Sequence, residues 1–187
     1  MWALVEDNAI TKIINKPKGM VIGDTRHSRN IFSFRWSNEE REAIGIYEVV
    51  FNNTNKKDEQ YYTNTNQSFA FADGAVTASY GSATAQALAD VTEDDIVIPG
   101  LKSQHKEKIK QQASSLLTTL DWYVIKATDV ESYSVPSAVT TFRTSVRAKS
   151  NDMEVLIDAC STVDELAALY VYTDGTRPLG EFPTLDI

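Results

Sequence analysis

The chain has 187 residues, is 42% hydrophobic and 24% charged, and carries a formal net charge of −8 with a single cysteine. These values fit one soluble globular domain or two small ones. They exclude a bilayer-spanning helix, since no apolar run approaches ~20 residues, and an internal disulfide framework, since Cys160 stands alone. Residues 1–82 carry nine Lys/Arg against ten Asp/Glu, and residues 101–170 carry eight against nine. The excess of acid lies in 83–100, with four acids and no base, and in 171–187, with three acids and one base. Phosphate contacts need clustered Lys/Arg, so nucleic acid is not an expected partner. Glu6 and Asp7 interrupt the opening residues, so no secretory leader is expected, and synthesis in a cytosol is.

In chain order, Trp2-Ala3-Leu4-Val5 reads as a strand, Asp7-Asn8 as a turn, and Ile10 to Ile14 as the return strand. Pro17 ends that hairpin, and Met20-Val21-Ile22 with Gly23-Asp24 is a second short strand and turn. Arg26-His27-Ser28-Arg29-Asn30 is a basic loop leading into the aromatic run 31–36, expected as a core strand. Ser37-Asn38-Glu39-Glu40 is a capping box that opens a short helix ending near Gly45. The β-branched and aromatic stretch 47–51 is a strand, 52–59 is a polar loop, and Tyr61-Tyr62 begins another strand region. The clearest hairpin is 69–80, where Asp73-Gly74 separates two alternating apolar runs. Residues 83–100 read as a solvated acidic linker.

From Leu101 the period changes to three and four. Leu101, His105, Ile109, Ala113, Leu116 and Leu117 share one helical face. A second helix starts near Asp121, with Trp122, Val124 and Ile125 expected to be buried. Pro136 suits a helix start, and Val139, Phe142, Val146, Met153, Leu156, Ile157 and Cys160 continue at helical spacing. Thr162-Val163-Asp164-Glu165 is a second capping box, with Leu166, Leu169 and Tyr170 on the apolar side. Such helices must pack to persist.

No phosphate-cradling glycine loop, Cys/His pair at metal spacing or Gly-x-Ser-x-Gly occurs. Cys160 lies on an apolar face and reads as a buried core residue. His105 reads as a packed side chain. Glu93-Asp94-Asp95 lacks the spacing and glycine of a calcium loop. Tyr47, Tyr61, Tyr62, Phe69, Phe71 and Tyr80 could stack on a sugar, but core is the default for half of them. No catalytic residue, cofactor or metal is expected.

The run Lys108-Ile109, Ala113, Leu116-Leu117, Asp121-Trp122-Tyr123-Val124-Ile125-Lys126, Val135-Pro136, Val139, Phe142-Arg143 and Val146-Arg147 resembles the helical C-terminal region of bacteriophage tail fibre assembly proteins. The family usually has Ser or Thr before the Asp-Trp pair. Here that position is Leu120, so the cap would fall to Thr118, Thr119 or Asp121. Trp2 to Asp7, Ile13-Ile14-Asn15, Arg29-Asn30-Ile31-Phe32 and Ile44-Gly45-Ile46-Tyr47 resemble the opening of a group of phage virion proteins.

The expectation is an α+β protein. A β-rich N-terminal domain (1–82, hairpins plus one short helix) precedes an acidic linker (83–100), a small helical C-terminal domain (101–170) and a C-terminal tail (171–187). The resemblance implies a non-enzymatic bacteriophage tail structural protein, made in the host cytoplasm and carried in the virion, that binds tail fibre or baseplate proteins. A transient tail fibre assembly chaperone is the alternative; a carbohydrate-binding module or small enzyme ranks below both. Self-association is left open, and no membrane partner is expected. Trp36, Trp122 and Tyr123 are the candidate partner-binding anchors, because Trp and Tyr are enriched at binding hot spots.

Overall fold

A computed structural model describes residues 1–185 and shows an α+β chain that divides into two compact units after Thr84.

In the first unit, β1 (Trp2–Glu6) and β2 (Ala9–Ile14) form the opening hairpin, with Asp7 and Asn8 at positive φ in its turn. Asp and Asn tolerate that conformation better than most residues, which is why they mark the turn. β3 (Met20–Ile22) and β4 (Thr25–His27) form a second hairpin, so the basic loop expected at 26–30 begins with strand. α1 (Asn38–Glu42) starts at the Ser37 capping box, with Glu40 reaching back to the Ser37 N–H. β5 (Ile46–Asn52), β6 (Tyr62–Thr63), β7 (Gln67–Ala72), β8 (Ala75–Tyr80) and β9 (Thr84–Ala85) follow.

The main sheet has the order β2-β1-β5-β8-β7 and is antiparallel except where β5 runs parallel to β8. Its outer strands β2 and β7 come within 8 Å at their Cα atoms, so the sheet curls toward closure. That narrows the opening at which a foreign strand could add.

Three consecutive residues of β1, Ala3, Leu4 and Val5, are buried. Side chains alternate across a strand, so this strand is covered on both faces. Leu4 packs with Ile14, Met20, Ile31, Phe32 and Ile46 on one side. Ala3 and Val5 pack with Val49, Val76 and Ala78 on the other. Gly45 is required where β5 begins. Its φ is 81°, its carbonyl accepts the Val5 N–H at 2.8 Å, and an added Cβ would lie 2.6 Å from the Val5 carbonyl oxygen.

The run 31–36 is not a strand. Arg29–Phe32 forms a 3-10 turn capped by Ser28, whose hydroxyl accepts the Asn30 N–H. Arg41 of α1 then holds the exit: its Nε donates to the Ile31 carbonyl at 2.9 Å and its Nη2 to the Ser33 carbonyl at 3.0 Å. These side-chain bonds take carbonyls that a strand would offer to a neighbour. Ile31 and Phe32 still reach the core, while Phe34 is 94% exposed.

In the second unit, the stretch expected as a solvated linker carries a hairpin of β10 (Val91–Glu93) and β11 (Ile96–Ile98). Asp94 and Asp95 turn it, both at positive φ. The β-branched triplet Ile96-Val97-Ile98 favours strand, and the acids serve the turn. Its base is tied to the next helix. The Asp90 carboxylate accepts the Gly100 N–H at 2.8 Å, and the Leu101 and Lys102 N–H groups donate to the carbonyls of Ala87 and Leu88. Gly100 caps the helix without a side chain, so backbone carbonyls satisfy its first donors.

α2 (Leu101–Thr118), α3 (Asp121–Asp129), α4 (Ser137–Ala159) and α5 (Val163–Ala168) complete the unit. α2 and α4 run antiparallel, because Lys106 pairs with Asp158, Lys110 with Glu154, and Arg143 donates to the Leu117 carbonyl. Leu101, His105, Ile109 and Ala113 of α2 are buried, as are Val139, Phe142, Val146, Met153 and Ile157 of α4. α5 starts at the Thr162–Glu165 capping box. The tail is folded: Leu179 is fully buried and donates its N–H to the Leu169 carbonyl, while Phe182 and Leu185 pack on the α4 core.

Candidate functional site

α3 departs most from its expected packing. Trp122, Val124 and Ile125, expected inside, are 51%, 42% and 60% exposed, and no residue of the helix is buried. The inward contacts come from Tyr123 and from the residues on its flanks. Leu120 is buried, and Leu120, Tyr123 and Val135 pack with Ala113, Val139, Phe142 and Val146. Tyr123 is therefore half-buried against the core while Trp122, next to it, is exposed.

The start of α3 is uncapped by any side chain. The hydroxyls of Thr118 and Thr119 instead donate back to the carbonyls of Ser114 and Leu116 in the preceding helix. Asp121 does not cap the helix either: its carboxylate takes an ion pair from Arg143 at 2.8 Å. The same Arg143 Nη1 donates to the Leu117 carbonyl at 2.8 Å, so one guanidinium fastens the joint between α2 and α3.

On the outward side, the Trp122 ring lies 4.3 Å from that of Tyr123 and is stacked with Tyr133 at 6.4 Å and 28°. The Lys126 ammonium sits 4.4 Å from the Tyr133 ring centre and 5.3 Å from that of Trp122. Cation–π attraction of about 0.5–1 kcal/mol at exposed sites helps hold these rings in place. The result is a cluster of aromatic rings, with Ile125 three residues on from Trp122 along the helix and 60% exposed. Trp and Tyr on a fixed backbone suit protein docking, because large rings lose little conformational freedom on binding.

Trp122 and Tyr123 are thus brought together in the second unit. Trp36 belongs to the first unit, where it is half-buried on the Leu4 cluster and meets His27 edge-on at 6.4 Å. Phe34 presents far more apolar surface than Trp36. The β10–β11 hairpin was also missed by sequence reasoning: Ile96, Val97 and Ile98 are 66%, 59% and 48% exposed. Three β-branched residues between an Asp-Asp pair and Pro99 were the available signal.

The remaining candidates are structural. Cys160 is buried; burial first, then the Glu165 carboxylate, pushes its thiol up, and its Sγ donates to the Leu156 carbonyl. A nucleophile needs the thiolate, which this setting disfavours. His105 is buried against the Tyr170 ring at 4.8 Å, and burial, with the Lys108 ammonium as the smaller cause, pulls its imidazole down to about 4. Tyr47, Phe69 and Phe71 pack on the sheet core and Tyr61 is buried, while lysines sit over Tyr62 and Tyr80. Among the described residues no group of three His, Cys, Asp or Glu could hold a metal ion, and no helix is long and apolar enough to cross a membrane.

No family model matches the chain, and no curated protein or solved structure matches it either.

Proposed function

We propose that this chain is a structural protein of a bacteriophage tail that docks on tail fibre or baseplate proteins through the outward face of α3. The observation that carries the docking reading is the exposure of Trp122 and Ile125 on a helix with no buried residue. Exposed Trp and aliphatic side chains grouped on one helix are the kind of surface that protein interfaces use. The β10–β11 hairpin and Phe34 are further exposed apolar points for the same kind of partner. The tail assignment rests on the resemblance of 108–147 to the helical region of tail fibre assembly proteins.

The first test is mass spectrometry of intact, purified particles of the phage that encodes the chain. Presence at a fixed copy number per particle is the expected result. Absence from particles, with co-purification of a fibre protein from infected cells, would replace it with the assembly-chaperone reading. Absence from both overturns the tail reading altogether.

A further inference from the structure

α2 and α4 border a groove of about 550 Å³ that no role above uses. Five of its lining side chains are charged: Lys110, Arg143 and Arg147 against Asp121 and Glu154, one positive charge in excess on a chain of net charge −8. Both carboxylates are engaged. Asp121 pairs with Arg143 at 2.8 Å and Glu154 with Lys110 at 3.4 Å. Arg147 is the remaining cation. Among the described residues it meets no carboxylate; its Nη1 donates to the Arg143 carbonyl one turn earlier, at 3.3 Å. That bond steers the guanidinium along its own helix and leaves its other N–H donors open. The small, buried Ser150 lies on the groove wall.

We infer that this groove binds one carboxylate, supplied by an Asp or Glu side chain of another protein, with Arg147 as the principal ligand. A planar guanidinium with free donors fits a planar carboxylate in two parallel hydrogen bonds. The two flanking ion pairs keep their own acids from competing, and an incoming carboxylate brings the groove to neutrality. This inference stands apart from the tail reading, since it needs only an acidic partner.

The test is an NMR titration of the full chain with N-acetyl-glutamate amide, with N-acetyl-glutamine amide and inorganic phosphate as comparison probes. Saturable shifts at the Arg147 Nε–H and the Ser150 amide are expected with the glutamate probe and not with glutamine. Arg147→Gln should weaken that binding about tenfold, and Arg147→Lys should weaken it less, because charge remains but the two-point geometry is lost. Arg147 is exposed, so both variants should fold. No saturation up to about 50 mM, a range that covers weak single-contact binding, overturns the inference. Equal shifts with glutamine, or unchanged affinity in Arg147→Gln, do the same. Tighter binding of phosphate than of the glutamate probe would assign the groove to phosphate and overturn the carboxylate assignment.

Discussion

β1 and α3 are both short, apolar and aromatic segments, yet their fates are opposite. β1 places Ala3, Leu4 and Val5 at 8% exposure or less, whereas α3 buries none of Trp122, Val124 and Ile125. The difference lies in the number of neighbours. β1 is an interior strand of its sheet, hydrogen-bonded on both sides by β2 and β5 and covered on both faces. α3 is fastened to the core through Leu120, Tyr123 and the Asp121–Arg143 pair, and its outward rings meet only the following loop residue Tyr133 among the described residues. Apolar composition states that a residue can be buried; topology decides whether anything is there to bury it.

That contrast can be broken at its strong end. Ile46→Ala removes a fully buried side chain beside Leu4 and Phe32. It should cost about 2–5 kcal/mol in chemical denaturation. Gly45→Ala should cost about 2–3 kcal/mol, from a side chain forced to positive φ and against the Val5 carbonyl. A loss below ~0.5 kcal/mol at either position would show that the β1–β5 junction is looser than described.

A third test lies in the helical unit. Folded His105 titrates at about 4 and its ordinary value is 6.5. As pH falls, the unfolded chain therefore takes the proton first. The contribution is full above about pH 6.5 and is lost between 6.5 and 4, by roughly 2–3 kcal/mol. His105→Leu should flatten that part of the stability–pH curve, which urea melts at several pH values would register. Arg143→Ala should cost less, about 1–2 kcal/mol, and should speed amide exchange in α3 more than in α4. The smallest effect is expected at the weak end: Trp122→Ala should change stability by no more than about 1 kcal/mol, the order of its ring and cation–π contacts at an exposed site. A loss of ~3 kcal/mol there would mean that Trp122 is a core residue after all.

Where a local signal sufficed, the fold was legible in the sequence. The capping boxes at Ser37 and Thr162, the turns at Asp7-Asn8 and Asp73-Gly74, and most of the buried faces of α2 and α4 follow from spacing of a few residues, although Leu156 is exposed and Leu116 and Leu117 are half-buried. Distant contacts were not legible. Nothing in 31–36 announces that Arg41 will hold its carbonyls, and the acids of 90–95 obscured a β-branched triplet. The tail residue Leu179 gave no periodic signal before it was buried. At the candidate site, Trp122 and Tyr123 could be named from residue type, but their different burial depends on how Leu120 and Arg143 set α3. The Arg147 groove needed the antiparallel register of α2 and α4, which no local pattern contains.

The most direct test of α3 as the docking surface is to quantify Trp122→Ala by mass spectrometry in purified particles against the wild-type chain. The account predicts a variant that melts like wild type but is incorporated at least about tenfold less, as befits the loss of a hot-spot tryptophan. Incorporation at wild-type copy number would contradict it.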